Sequence, residues 1–293
     1  MADRLAALEA LGDDDEIFVY MGGDQRVPER VRRARIHKSV KIISEGAFSY
    51  RRHLISVEFH DGIEIIEACA FYGCTLLRGP IKLLGIKIIK EWAFRGCSGL
   101  ADVECGDQLE TIEQEAFGSC TSLRNIIMPQ VLTVGRWAFE RCWLTDLELP
   151  EELEILHENA FGSCESLRRI ALPLKDGMIG VDVFDGCWSL TTVALVGGIH
   201  TTVSSMHLES WRNEMTGEIN RINQVLPTIT FGKTSSIQQW MRSVIHRLDH
   251  YKNEHHKLLK EATTLLELAL WKANLDINEG GLLERESPNE GTT

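Results

Sequence analysis

The sequence predicts an α/β repeat solenoid: a stack of about seven units built on short parallel strands, followed by a helical C-terminal segment. Three observations predict it. Phenylalanine recurs at Phe48, Phe71, Phe94, Phe117, Phe139, Phe161 and Phe184, at spacings of 23, 23, 23, 22, 22 and 23. The neighbours of each Phe recur with it: Ala precedes six of them and Val183 the seventh, and a Cys follows three residues on in six, Arg51 taking that place in the first. Beyond Gly198 this period stops and an apolar pattern of helical spacing begins.

Each unit opens with the Ala-Phe turn, which drives the ring inward. Ala is small there because the next coil passes close by. A Leu follows, then a short alternating run whose inward members are Val57/Phe59, Ile81/Leu83, Val103/Cys105, Ile126/Met128, Leu147/Leu149, Ile170/Leu172 and Val193/Leu195. Alternation of period two is the signature of a strand with one buried face. A second apolar pair, such as Ile65-Ile66, Ile88-Ile89 or Ile155-Leu156, precedes the next Phe. A unit of ~23 residues is too small to bury its own apolar face, so it must stack on its neighbours. Two irregularities fall where a stacked coil is expected to tolerate them. Pro80 adds a residue before the strand of its repeat, and the repeat of Phe139 is one residue short before Leu144.

At the front, residues 1–15 carry charges at Asp3, Arg4 and Glu9 and lack the apolar core of a secretory signal, so a flexible or short helical N-terminus is expected. The solenoid is assigned to residues 16–198, beginning with a strand at 17–20 and a half-repeat whose apolar slots are Ile36, Val40 and Ile43. Residues 199–276 are read as a helical hairpin or coiled coil, and 277–293 as a disordered, polar tail. The first helix is placed from about Ser204 to Leu226, with Pro227 ending it, and a loop over 228–236 leads to the second. In the second, Ile237, Met241, Val244, Leu248, Tyr251, His255, Leu258, Ala262, Leu265 and Ala269 alternate spacings of four and three, which is heptad spacing. Unbroken, this helix outruns the first. Either it bends near His255-His256 and folds back, or residues 258–271 meet something else; a cap for the solenoid and a homodimer through this helix are both open.

The formal net charge is −12, of which residues 1–199 carry −10. An acidic stack repels a phosphate backbone, so nucleic acid is not an expected partner. The one basic stretch, Arg26 to Lys41, reads as a solvated edge of the first turns. No window approaches ~18 apolar residues, so no membrane span is expected. An intracellular, cytoplasmic home with reduced thiols is the default.

No catalytic or metal constellation converges. The Cys of successive repeats come one per coil in a line, not as paired knuckles about one point, and read as packed core thiols. Gly232-Lys233-Thr234 mimics the end of a phosphate loop, but Pro227 stands where the upstream Gly belongs. His246 and His250 stand one helical turn apart without an evident third ligand. No enzyme and no cofactor are expected.

The repeat resembles the BspA-like leucine-rich repeats, with their I-x-x-x-A-F-x-x-C-x-x-L-x-x-I-x-L-P signature. Within that group the chain is similar to a large set of algal, diatom-type leucine-rich-repeat proteins. They share the opening IFVYMGGDQRVPERV, the SVEFHDGIEIIE turn and the tail EHHKLLKEATTLLELALWKANLD. The resemblance spans roughly residues 16–276. It implies a right-handed leucine-rich-repeat solenoid without an assigned biochemical role. Bacterial relatives are often surface adhesins, so a structural or adhesive surface protein is the alternative reading.

The preferred reading is a protein-protein interaction scaffold that uses the outward face of the strand ribbon to hold a protein or peptide. Its candidate contacts are Glu58, Lys82, Asp102, Glu104, Asn125, Ile127, Asp146, Glu148, Arg169 and Ala171. The front of that face reads as acidic and its rear, around Ile127 and Ala171, as small or apolar, which suits a segment basic at one end and apolar at the other.

Overall fold

A computed structural model of the chain describes residues 17–196 and 209–283. The expected N-terminal helix, the start of the first C-terminal helix near Ser204 and the last ten residues lie outside these. The chain divides into two compact units, Met1–Ile245 and His246–Thr293.

In the first unit the alternating runs form parallel strands, as their period requires. Nine strands, from Ile17–Tyr20 to Thr192–Leu195, make three sheets of three. The breaks between these sheets fall at the two sequence irregularities. One separates Ser56–Glu58 from Pro80–Leu83, where Pro80 adds a residue and removes a donor. The other separates Asn125–Ile127 from Asp146–Glu148, just after the shortened repeat. The second apolar pairs make a further ribbon without a break, six two-residue strands from Ile42–Ile43 to Ile155–Leu156, extended by a bridge from Leu156 to Ile179.

The seven Phe side chains are 0–1% exposed and stack ring on ring, with centroids 4.9–6.1 Å apart and planes within 12°. Each pair contributes about 0.5–1.5 kcal/mol beyond its burial. The backbone that carries them has a form the sequence hides. In every coil the residue two before the Phe and the residue two after it have positive φ, and only Gly46, Gly73, Gly96 and Gly186 of these are glycine. The left-handed residues turn three amides of each coil toward the next. Around Phe71, for example, Cys69, Phe71 and Gly73 donate to the carbonyls of Glu91, Ala93 and Arg95 at 2.7–3.0 Å. A non-glycine residue there costs about 1–2 kcal/mol, offset by a hydrogen bond that would otherwise be missing. True glycine requirements lie elsewhere: a Cβ on Gly85 or Gly106 would sit 1.8 or 1.9 Å from the carbonyl oxygen of Asp61 or Leu84 in the preceding coil.

The cysteines of the repeat are buried, and each thiol donates to the carbonyl of the Phe in the preceding coil, at 3.0–3.2 Å from Cys74 to Phe48 through Cys187 to Phe161. This explains Arg51 in the first repeat. No Phe coil precedes it, and the longer side chain reaches the carbonyl of Val27 at 3.0 Å instead. Tyr20, fully buried, closes the front of the Phe stack with its ring 5.2 Å from Phe48.

The rear end is closed by two helices, α1 (Glu209–Val225) and α2 (Lys233–Leu283), joined by a 3-10 turn at Leu226–Thr228 that contains Pro227. The loop expected over 228–236 is shorter, because α2 starts at Lys233 directly after the positive-φ Gly232. The fold-back considered near His255-His256 is absent: α2 is one helix of 51 residues, about 77 Å long at 1.5 Å per residue. It continues through residues 277–283, which were expected to belong to the disordered tail. Met215, Ile222, Leu226, Ile237, Trp240, Met241, Val244 and Leu248 are buried, so both helices turn an apolar stripe inward.

Candidate partner-binding face

Outward residues of the long strands form two rows, set by register. One runs through Asp102 and Asn125 and, beyond the second break, through Asp146, Arg169 and Thr192. The other runs through Arg35 and Glu58, then Lys82, Glu104 and Ile127, then Glu148, Ala171 and Ala194. The predicted residues therefore share one face, with one correction. Ala171 is buried, 1% exposed, because its methyl lies between flanking strands on both sides and has too little reach to emerge.

Charge on this face divides at the second break. In front, acids are matched coil to coil: Glu58 pairs with Arg35, Glu104 with Lys82 at 2.9 Å, and Asp102 accepts from Asn125 at 2.7 Å. The Arg35 guanidinium holds the Glu58 carboxyl below its usual range. Behind the break Asp146 and Glu148 are exposed and Arg169 is half-buried, and none of the three has an ion-pair partner within 4 Å among the described residues. Ile127, 58% exposed, stands at the break itself. The front is thus not the free acidic field that its composition suggests, since neighbours one coil away neutralise it.

Features outside this face escaped the sequence reading. A cleft of about 410 Å³ lies on the turn side, with Tyr50, Tyr72, Arg52 and Arg95 about a floor of Gly73 and Gly96. Its residues come from the variable positions beside each Phe, where no periodic signal marks them. Trp143 and Trp188 are exposed, and the 74% exposed Phe231 packs edge-on against Trp188 at 5.6 Å.

The third missed feature is the set of side chains through which the helices cap the stack. Lys233, 4% exposed, donates to the carbonyls of Cys187, Trp188 and Leu190 at 2.6–3.0 Å. Burial pushes its ammonium below its ordinary pKa. Thr234 accepts from the amide of Phe184 at 2.9 Å. Gln238 donates to the carbonyls of Ile179 and Gly180 at 2.8 and 3.0 Å, and Asn223 bonds both the N–H and the C=O of Val193 on the last strand. Gly232-Lys233-Thr234, set aside as a phosphate loop, serves the cap instead: Lys233 faces carbonyls and Thr234 an amide of their own chain.

Burial raises the thiols of Cys120 and Cys187 in the row, and of Cys105 beside it, to about 12, which disfavours the nucleophilic thiolate at these three positions. Among the described residues no group of three or more His, Cys, Asp or Glu is placed to hold a metal ion, and no helix is long and apolar enough to cross a membrane.

The model of the BspA-type leucine-rich repeat region matches residues 30–133 and 87–206. A solved leucine-rich repeat protein of Bacteroides ovatus is 29% identical over 45% of this chain, with a TM-score of 0.42. The match spans only 34% of that protein's length. The leucine-rich repeat protein of T. pallidum is 26% identical, with 56% of this chain and 83% of that one covered and a TM-score of 0.46. An internalin of Listeria monocytogenes shares 12% identity over 60% of this chain and 59% of its own, at a TM-score of 0.33. No curated protein matches the sequence.

Proposed function

The chain belongs to the BspA-type leucine-rich repeat family, and from that premise we propose that it is a non-enzymatic scaffold holding a protein or peptide on the outward face of its long strands. The observation that carries this reading is the division of charge at the second sheet break. Glu58, Lys82, Asp102, Glu104 and Asn125 spend their charge and hydrogen bonds on neighbouring coils. Asp146, Glu148 and Arg169 do not, and Ile127 beside them exposes a large apolar side chain. A partner segment suited to this patch is extended, with an apolar side chain over Ile127 and a basic one toward Asp146 and Glu148.

Affinity capture from native lysate tests it. The variant Asp146→Lys/Glu148→Lys should lose a reproducible partner, while Glu58→Lys should lose much less because its carboxylate already serves Arg35. Equal capture by all three proteins would remove the strand face from consideration. The second unit supports a further contact, a homodimer through α2, because residues 256–272 are all exposed and include seven large apolar side chains.

A further inference from the structure

The apolar surface of α2 has a pattern that identifies what covers it. The four-and-three spacing that buries Ile237, Met241 and Val244 in the first unit, and Leu248 at the start of the second, continues in register through Leu258, Ala262, Leu265 and Ala269. There it is exposed: Leu258, Leu259, Leu265, Leu266 and Leu270 are 52–66% accessible. At 3.6 residues per turn these side chains and the two alanines cover an arc of about 140°. Ala262 and Ala269 lie on its midline, with Leu258 and Leu265 along one flank and Leu259 and Leu266 along the other. A small midline between large flanks lets a second helix approach to about 8 Å, the near end of the usual helix–helix range.

The stretch is also its own complement. About a two-fold axis between Leu265 and Leu266, position 262 of one copy stands level with position 269 of the other, and 265 with 266. Antiparallel packing about that axis sets Ala262 of each copy against Ala269 of the other, twice. It also lays Leu265 beside Leu265 on one flank and Leu266 beside Leu266 on the other. The charged side chains of this stretch, Lys257, Lys260, Glu261, Glu267 and Lys272, fall outside the arc and are near balance, so no like-charge barrier opposes the pairing. Opposed helix dipoles favour it weakly.

We propose that residues 256–272 of α2 form an antiparallel pair with the same residues of a second copy of this chain, Ala262 against Ala269. This rests on the reading of α2 as an assembly device and is independent of the strand face. Sedimentation of the full chain at micromolar concentration should give a dimer. Leu265→Glu/Leu266→Glu should give a monomer whose unfolding midpoint is unchanged, which separates lost association from lost folding. Register is read by disulfide trapping. Ala262→Cys chains mixed with Ala269→Cys chains should cross-link, whereas Ala262→Cys chains alone should not. A monomeric full chain, a dimer that survives the double glutamate variant, or self-cross-linking of Ala262→Cys alone would each overturn the proposal. Partner capture by the double glutamate variant keeps the two readings apart, since a strand-face partner should still be retained.

Discussion

In the coil of Phe117 the amide donates to the carbonyl of Ala138 at 2.8 Å; in the last coil the amide of Phe184 donates to the hydroxyl of Thr234 at 2.9 Å. The same substitution of side chain for backbone recurs in the second ribbon. There a ladder of amide-to-carbonyl bonds runs coil by coil from Glu67–Ile43 to Gly180–Leu156 and ends with the Gln238 amide on the carbonyl of Ile179. On the long-strand edge the Asn223 carboxamide, one donor and one acceptor side by side, stands in for the missing strand. An interior coil is thus completed by the geometry of its successor, and the last coil by the chemistry of four chosen side chains. The difference teaches how a stack ends: a buried backbone group demands a partner wherever the chain stops repeating.

The comparison breaks most severely in the interior. Phe117→Ala removes a ring stacked on both sides, and should cost about 3–5 kcal/mol, read as a lower urea midpoint. Because each coil contacts only its neighbours, the loss should also divide the stack, and native-state hydrogen exchange should show the front and rear coils opening separately.

At the end the expected effect is smaller and more local. Lys233→Met keeps much of the stem but leaves the carbonyls of Cys187, Trp188 and Leu190 without their donor, at a cost of about 3 kcal/mol. Thr234→Val strands one amide and should cost about 1–2 kcal/mol. Hydrogen exchange should place both losses in the last one or two coils, with the amides near Phe71 unaffected. If Lys233→Met instead unfolds all coils together, the stack is more cooperative than nearest-neighbour contact implies.

The same contrast explains what the sequence could show. The Phe, Ala, Cys and Leu positions and the strand faces were legible, because repetition turns a weak local signal into a register; the two irregularities were visible too, but not that the sheet breaks at them. The left-handed residues were not. Glycine is the usual mark of positive φ, yet Tyr50, Trp92, Glu115, Trp137 and Asn159 take that conformation for the sake of inter-coil bonds. A helical cap was among the expectations but its chemistry was not legible, since Asn223, Lys233, Thr234 and Gln238 acquire meaning only against the free groups of the last coil. Of the candidate face, the shared side was readable from alternation. The pairing that silences its front, and the burial of Ala171, depend on what lies one coil away.

A gentler probe distinguishes core thiols from surface ones without altering the chain. The chain has eight cysteines. Cys69 sits off the row at one of the left-handed positions and is half-buried, while the other seven are buried. A thiol reagent at pH 9 should therefore modify one residue of the native protein first, at a rate held down by the burial that raises the Cys69 thiol, and the rest only at the rate of unfolding. Prompt reaction of a second thiol would mean that a coil opens locally.

The smallest expected effect lies on the front surface, where ion pairs between coils are densest. Glu64 stands between Lys87 at 3.0 Å and Lys41 at 3.2 Å, and Lys87 first, then Lys41, hold its carboxyl below the ordinary value. A carboxylate whose folded pKa is depressed contributes stability that is present above its unfolded value of 4.5 and is lost as pH falls through the folded one. Glu64→Gln should therefore lower the melting temperature slightly at pH 7, and the difference from the parent should shrink as pH falls below 4.5. High salt should shrink it too, because all three side chains are exposed to solvent and their attraction is screened. A difference that did not shrink on acidification would mean that Glu64 acts through packing against its neighbours and not through charge. The front would then resemble the rear, where the ion pairs between coils among the described residues reduce to Arg136 with Glu158 at 3.9 Å.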